Sequence, residues 1–268
     1  MNLMEFAIKI AKEAGELTIK EAEKGFKISK KGPRDLVTNA DKASEKLIKS
    51  AIKKAFPDHG ILAEESENDL KEIAKKDFIW IIDPIDGTTN YAHGIPNYSI
   101  SIAVFATTYS ESSKNFEYKG GELIAGVVHA PRLNETFYAA KDQGAFLNGK
   151  KIQVSTTKTL QDSVVATGFP YENKEEALPY FEKIVSRAQG IRRFGSAALD
   201  LCYLAAGRFD AFWELGLQPW DIAAGALIVQ EAGGHLTDLN GAELDLFSKE
   251  ILASNKHTHQ EMIDTLNI

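Results

Sequence analysis

The sequence has one cysteine, Cys202, in 268 residues. That excludes an intrachain disulfide and a thiolate zinc cluster, and it fits a reducing cytoplasm. Cys202 sits among small apolar residues, where a thiol serves as core packing. The six histidines are scattered, with no His-x-x-x-His pair of the zinc-protease kind. His257 and His259 are close, but their spacing suits a polar turn. An excess of positive charge is also missing. The formal charge is −7, which argues against direct nucleic-acid binding and against an anionic membrane surface. No apolar run has the length of a membrane span or a signal-peptide core, since Met1 to Gly25 mixes charge with apolar residues. Internal repeats, low-complexity tracts and flexible linkers are absent.

What is present centres on Phe78 to Asn90. Phe78 to Ile82 is a bulky apolar run, as in a fully buried strand. It ends in Asp83-Pro84-Ile85-Asp86, then Gly87, then Thr88 and Thr89. Pro84 is expected to stop the ladder. Gly87 allows a close turn, and Thr88 or Thr89 is a candidate cap for a following helix. Two carboxylates and a hydroxyl-bearing turn at one strand end suit a hard cation held together with a phosphate.

Leu3, Phe6, Ala7, Ile10, Ala14 and Leu17 recur at helical spacing, so residues 3–23 read as an amphipathic helix ended by Gly25. The basic stretch from Lys24 to Arg34 reads as a solvated loop or as a flap over an anionic site. Leu36 to Thr38 is a short strand. A second helix opens at Asn39 with Asp41 in its first turn, where the helix dipole favours a carboxylate, and Pro57 ends it. Gly60 to Ala63 is a strand ending in Glu64, Glu65 and Ser66. Leu70 to Lys76 is a surface helix or loop. Strands follow at Ser99–Phe105, Leu123–His129 and Glu135–Ala140. Residues 107–121 form a long hairpin connection, and Asn148-Gly149 marks a tight hairpin. The first half is therefore α+β, with helices on one face of a largely antiparallel sheet.

The second half alternates strands and helices, an α/β pattern. Strands are expected at Ser163–Thr167, Gly190–Phe194, Asp210–Glu214, His235–Leu239 and Ile251–Ser254. Helices are expected at Glu175–Arg187, Ala197–Gly207, Trp220–Glu231 and Gln260–Leu266. The division is placed between domains 1–145 and 146–268, and their interface is a favoured place for a pocket. Arg192 and Arg193 suit phosphate binding or ion pairs equally.

Three motifs together resemble the inositol monophosphatase family: Glu64-Glu65-Ser66, the Asp83 to Asn90 segment, and Trp220-Asp221-Ile222-Ala223-Ala224-Gly225. Leu36 to Asp41 and Arg193 to Ala198 resemble further family segments, so the likeness spans nearly the whole chain. The resemblance implies a layered αβαβα sandwich, shared with fructose bisphosphatases, with the active site between the halves. It implies two or three Mg²⁺ ions held by Glu64, Asp83, Asp86, Asp221, the Ile85 carbonyl and the Thr88 hydroxyl. Glu65 and Asp41 match acidic positions that bind or order metal-linked water. Gly87, Thr88 and Thr89 match the phosphate cradle. Ser196, Ala197, Glu214, Asp221 and Arg193 fall among the substrate contacts. The catalytic set implied is Glu64, Thr88 and Asp83, with water as the nucleophile. Inhibition by lithium and a homodimer are further implications.

The implied reaction is hydrolysis of a sugar or polyol phosphomonoester, inositol 1-phosphate first and fructose 1,6-bisphosphate second. A haloacid-dehalogenase reading would make Asp83 a covalent nucleophile. The Asp-x-x-Asp spacing is one residue too long for that motif, and no downstream lysine and acidic pair completes it. A role as a protein partner in transcription complexes is the non-enzymatic alternative. Residues 107–121, Gln218-Pro219 and the Arg192-Arg193 pair depart from the animal enzymes, which leaves substrate choice and subunit contacts open.

Overall fold

The computed structural model describes residues 2–25, 28–30, 36–107, 121–170 and 173–267. The first helix, α1 (Leu3–Glu23), is capped by the Asn2 side chain, which accepts from the Met4 amide. Strands β1 (Ile28–Lys30) and β2 (Leu36–Thr38) pair antiparallel, so part of the basic stretch is a ribbon. Its positions 26–27 and 31–34 lie outside the described residues. Helix α2 (Asn39–Ala55) starts in a capping box, in which Thr38 and Asp41 satisfy each other's backbone and side-chain groups. Then come β3 (Gly60–Ala63), α3 (Leu70–Ile73), β4 (Phe78–Asp86), α4 (Thr88–Ala92), β5 (Ser99–Thr107) and β6 (Gly121–Ala130). The connection expected across 107–121 falls, between its ends, outside the described residues. Strands β7 (Glu135–Ala140), β8 (Ala145–Leu147) and β9 (Lys150–Ile152) complete the first half.

These strands form a seven-stranded sheet in the order β3-β4-β5-β6-β7-β8-β9. Only β3 and β4 run parallel; each later pair is antiparallel. The sheet continues to Ile152, so a domain boundary at 145/146 would cut through β8. The strands after Asn148-Gly149 belong with the first half because the hairpin folds β9 back onto β8.

The second half contains β10 (Val164–Thr167), α5 (Leu178–Val185), β11 (Gly190–Arg192), α6 (Ala197–Ala205), β12 (Ala211–Leu215), α7 (Pro219–Glu231), β13 (His235–Thr237), β14 (Glu250–Ser254) and α8 (His259–Leu266). Its five strands lie in the order β11-β10-β12-β14-β13. The helix expected over 175–187 is shorter than its pattern. Residues Lys174–Ala177 form a 3₁₀ turn, and α5 begins with Pro179 in its first turn. Proline has no N–H to donate and fits a helix start.

The side-chain period of two in β4 sets the layering. Trp80 and Ile82 face α1 and α2, packing with Phe6, Ile10, Ile48 and Ile52. Ile79 and Ile81 face the other way, into the cluster of α6 and α7. The five-stranded sheet repeats the division. Ala166, Phe212 and Ala253 face α6 and α7, while Val165, Trp213 and Leu252 pack with Met262 and Ile184 of the outer helices. The result is five layers: α1/α2, sheet, α6/α7, sheet, α5/α8.

Close packing in the middle layer needs small residues. A Cβ on Gly126 of β6 would lie 2.8 Å from the Ala224 carbonyl of α7. Cys202 is buried in this layer. Among the described residues no helix is long and apolar enough to cross a membrane.

Candidate active site

The acids at the end of β4 are delivered by a broken ladder. β4 pairs with β5 through Asp83, slips, and pairs again at Asp86 opposite Ser99. Pro84 therefore interrupts the ladder without ending the strand. The slip places Asp83, Ile85 and Asp86 all on the cleft. Asp83 Oδ1 accepts from the Ile85 amide at 2.9 Å. Asp86 Oδ2 accepts from the Ser196 hydroxyl at 2.6 Å and the Ala198 amide at 2.8 Å. That second pair ties β4 to the first turn of α6, across the two halves.

Gly87 adopts a left-handed φ of 92° and is itself the N-cap of α4, so neither threonine caps that helix. A Cβ there would lie 3.0 Å from the Gly195 carbonyl and 3.1 Å from that of Asn97. Asn90 closes the turn, donating to the Asn97 and Phe194 carbonyls at 2.6 Å each. Thr88 is buried. Its hydroxyl lies 2.9 Å from Asp41 Oδ1 and 3.0 Å from the Ile85 carbonyl. Asp41 also accepts from the Thr38 amide and hydroxyl, at 2.8 and 2.6 Å.

Asp221 enters from α7. Its Oδ2 accepts from the Gln218 amide at 2.7 Å, so the capping geometry also orients it. Glu64 enters from the end of β3. Glu64, Asp83, Ile85, Asp86, Gly87, Thr88, Arg193, Ser196, Ala197, Glu214 and Asp221 all line one cleft. Three expected residues stand outside that lining. Asp41 is buried behind Thr88. Thr89 lies one step further along α4. Glu65 lines a separate groove with Lys42, Lys46 and Lys49 of α2, its amide donating to Glu45 Oε2 at 2.7 Å.

The cleft has further walls, Gly168, Phe169, Asp200 and Leu217, which motif reasoning did not reach. Asp200 did leave a trace, as the one charged residue within the apolar run of α6. Gly168 left none, because its role depends on Glu214. A Cβ at Gly168 would lie 1.9 Å from Glu214 Oε1.

Burial raises the pKa values of five acids on this cleft, Asp83, Asp86, Asp200, Glu214 and Asp221. Asp83 is pushed well up, first by burial and then by Glu64, Asp86 and Asp221, with a hydrogen bond to Glu64 adding to the rise. Burial pushes Asp86 up to about 6, against the opposing bonds from Ser196 and Ala198. Burial, then Asp86, pushes Asp221 well up. Glu214 is pushed up to about 8 by burial and by Asp86, while Arg193 opposes the rise. Asp200 is raised by burial and by Glu214 and Asp86, again opposed by Arg193.

These acids fit a divalent cation. The charges acting on Asp83 and Asp221 are all carboxylates, an arrangement that a bound cation relieves. Among the described residues, no three His, Cys, Asp or Glu side chains already close on a single point as a finished site. Instead the Glu64 side chain lies close enough to Asp83 to interact with it directly. Mg²⁺ tolerates such an open protein shell, because it keeps water and takes oxygens from substrate phosphate.

Comparison with known proteins gives the family. The model of the inositol monophosphatase family matches residues 1–267. A fructose-1,6-bisphosphatase/inositol-1-monophosphatase of Thermotoga maritima is 41% identical over 268 residues, covering 100% of this chain and 96% of the relative. A Nus factor SuhB of Pseudomonas aeruginosa is 40% identical over 271 residues, covering 98% and 95%. A solved structure of an IMPase/NADP phosphatase complexed with Mg²⁺ and phosphate superposes with a TM-score of 0.82 at 25% identity, covering 98% of this chain and 94% of that one. The broken β4 ladder, the carboxylates it shares with α7 and the five-layer sandwich thus occur in a chain that belongs to the inositol monophosphatase family, a family of Mg²⁺-dependent phosphatases.

Proposed function

We propose that the chain hydrolyses a polyol phosphomonoester, inositol 1-phosphate before others, with water as the nucleophile. The observation that carries this reading is the meeting of Glu64, Asp83, Asp86 and Asp221 on the cleft that the Gly87–Thr88 turn also lines. The cation would be held by those four acids, the Ile85 carbonyl and the Thr88 hydroxyl, with Asp41 and Glu65 further out. When bound, Mg²⁺ supplies Lewis acidity toward the phosphoryl group and a lower pKa for water.

The chain's own groups then account for positioning. The first amides of a helix lack intrahelical partners, so those of Gly87 and Thr88 suit phosphoryl oxygens. The Thr88 hydroxyl can donate its hydrogen bond to Asp41 Oδ1 at 2.9 Å. Its oxygen is then left to accept a hydrogen bond from the attacking water. Glu64 would take that water's proton. Ser196, Ala197, Glu214 and Arg193 line the rest of the cleft, where the alcohol portion of the substrate would sit. In-line attack depends on such positioning and on charge.

The paired activity named for the Thermotoga maritima relative supports fructose 1,6-bisphosphate as the second substrate. The Nus factor name of the Pseudomonas aeruginosa relative supports an added role as a transcription partner, through protein rather than nucleic-acid contacts. A cytoplasmic homodimer completes the proposal. The test is phosphate release from inositol 1-phosphate, fructose 1,6-bisphosphate and adenosine 3′,5′-bisphosphate, with Mg²⁺ and with EDTA. Metal-dependent release led by inositol 1-phosphate is expected. Release that EDTA leaves intact would overturn the reading.

A further inference from the structure

We infer that Asp200 is a specificity-determining acceptor, forming with Glu214 a two-carboxyl receptor for neighbouring hydroxyls on the alcohol portion of the substrate. The inference rests on the phosphatase reading and deepens it.

Asp200 is 1% exposed, and its Oδ1 has no hydrogen-bond partner. The other eight residues of α6 are apolar and buried. Local structure does not account for a carboxyl here. The helix already has its cap, because Ser196 Oγ accepts from the Leu199 amide. A first-turn acid does gain from the helix dipole, but that gain is small beside the cost of burying a carboxyl without a donor. What distinguishes Asp200 is its place on the cleft wall with Glu214 and Arg193.

The neighbouring backbone also makes room for this arrangement. Glu214 occupies the space that any side chain at position 168 would need. Two carboxyls therefore share one part of the cleft, and both feel the Arg193 charge.

The ligand chemistry follows from that set. An acceptor lacking a partner calls for a donor. Arg193 already supplies positive charge here, so a second cation is disfavoured and a neutral O–H donor suits the acids. A hydroxyl also accepts, which Arg193 can satisfy as a donor. A ring bearing adjacent hydroxyls meets both demands, whereas a bare hydrocarbon ring would leave Oδ1 buried and unpaired.

The test compares inositol 1-phosphate with cyclohexyl phosphate, the same ring without hydroxyls, in the Mg²⁺-loaded protein. The native chain should prefer inositol 1-phosphate by at least about tenfold in kcat/KM. In Asp200→Leu, which fills similar volume without an acceptor, that ratio should fall on the order of tenfold. In Asp200→Asn, which keeps Oδ1, it should stay within about threefold of native. Calorimetric binding of inositol 1-phosphate with Ca²⁺ in place of Mg²⁺ should weaken on the order of tenfold in Asp200→Leu and recover in Asp200→Asn. Equal loss on both substrates would mark Asp200 as structural and overturn the inference. Should Asp200→Leu not fold, the native ratio still decides, because equal efficiency on the two rings refutes a hydroxyl receptor. Equal efficiency would leave the phosphatase reading standing. Release from neither ring or from fructose 1,6-bisphosphate would overturn that reading and this inference with it.

Discussion

Replacing Asp86 with asparagine should make the metal-free protein more stable while removing its activity. Asp86 is 8% exposed and pushed up to about 6 from an ordinary 3.8, chiefly by burial. The folded state therefore binds more protons than the unfolded chain over this range. Stability linked to Asp86 is fully present below about pH 4 and is lost as pH rises through about 6. At about 1.4 kcal/mol per pKa unit, ionising Asp86 in the fold costs about 3 kcal/mol by pH 8. Asparagine never ionises, and its carbonyl can still accept from Ser196 and Ala198. At roughly 2 °C per kcal/mol for a chain of this size, Asp86→Asn should melt ~6 °C above native in EDTA at pH 8. At pH 4.5 the gap should shrink to about 1 kcal/mol or less. In Mg²⁺ the order should reverse, because native protein gains about 4.1 kcal/mol when the ion is at about 1,000 times its Kd, and the variant lacks a ligand charge. Thermal scans at both pH values, with EDTA and with Mg²⁺, make the measurement. A variant that melts at or below native in EDTA at pH 8 would refute the claim that this carboxylate is an unrelieved cost.

Other substitutions test separate parts of the site. Thr88→Val removes the hydroxyl that contacts Asp41 and Ile85, and should lower kcat by about 10²-fold or more while Thr88→Ser retains most of it; steady-state rates decide, and an active valine variant would remove Thr88 from the water-positioning role. Gly168→Ala puts a Cβ into the Glu214 carboxylate, so KM for inositol 1-phosphate should rise about tenfold with Mg²⁺ stabilisation retained. An unchanged KM would show that Glu214 can move without consequence. Gly126→Ala drives a Cβ against the Ala224 carbonyl and should cost about 1–3 kcal/mol in urea unfolding. It should also lower kcat, because α7 carries Asp221; full activity at reduced stability would separate the two effects.

Local pattern determined a large part of this molecule. Helices α1 and α2 follow from apolar spacing, and their ends from Gly25 and Pro57. β4 follows from an apolar run whose alternation sorts Trp80 and Ile82 from Ile79 and Ile81. Asp83, Asp86 and Asp221 were legible because short motifs carry them, each at the end or start of an element. Tertiary structure decided what those ends meet. Pro84 was expected to stop the strand, yet the slipped ladder resumes at Asp86 because β5 offers Ser99 beyond the gap. The first sheet runs past residue 145 because a hairpin carries β9 back onto it. Asp200 and Gly168 belong to the cleft only because α6 lies between two sheets, which brings the ends of β4, β10 and β12 to one place. Residue spacing encodes the period and the ends of an element. The meeting of distant side chains is set by how layers stack, and that depends on packing along the whole chain.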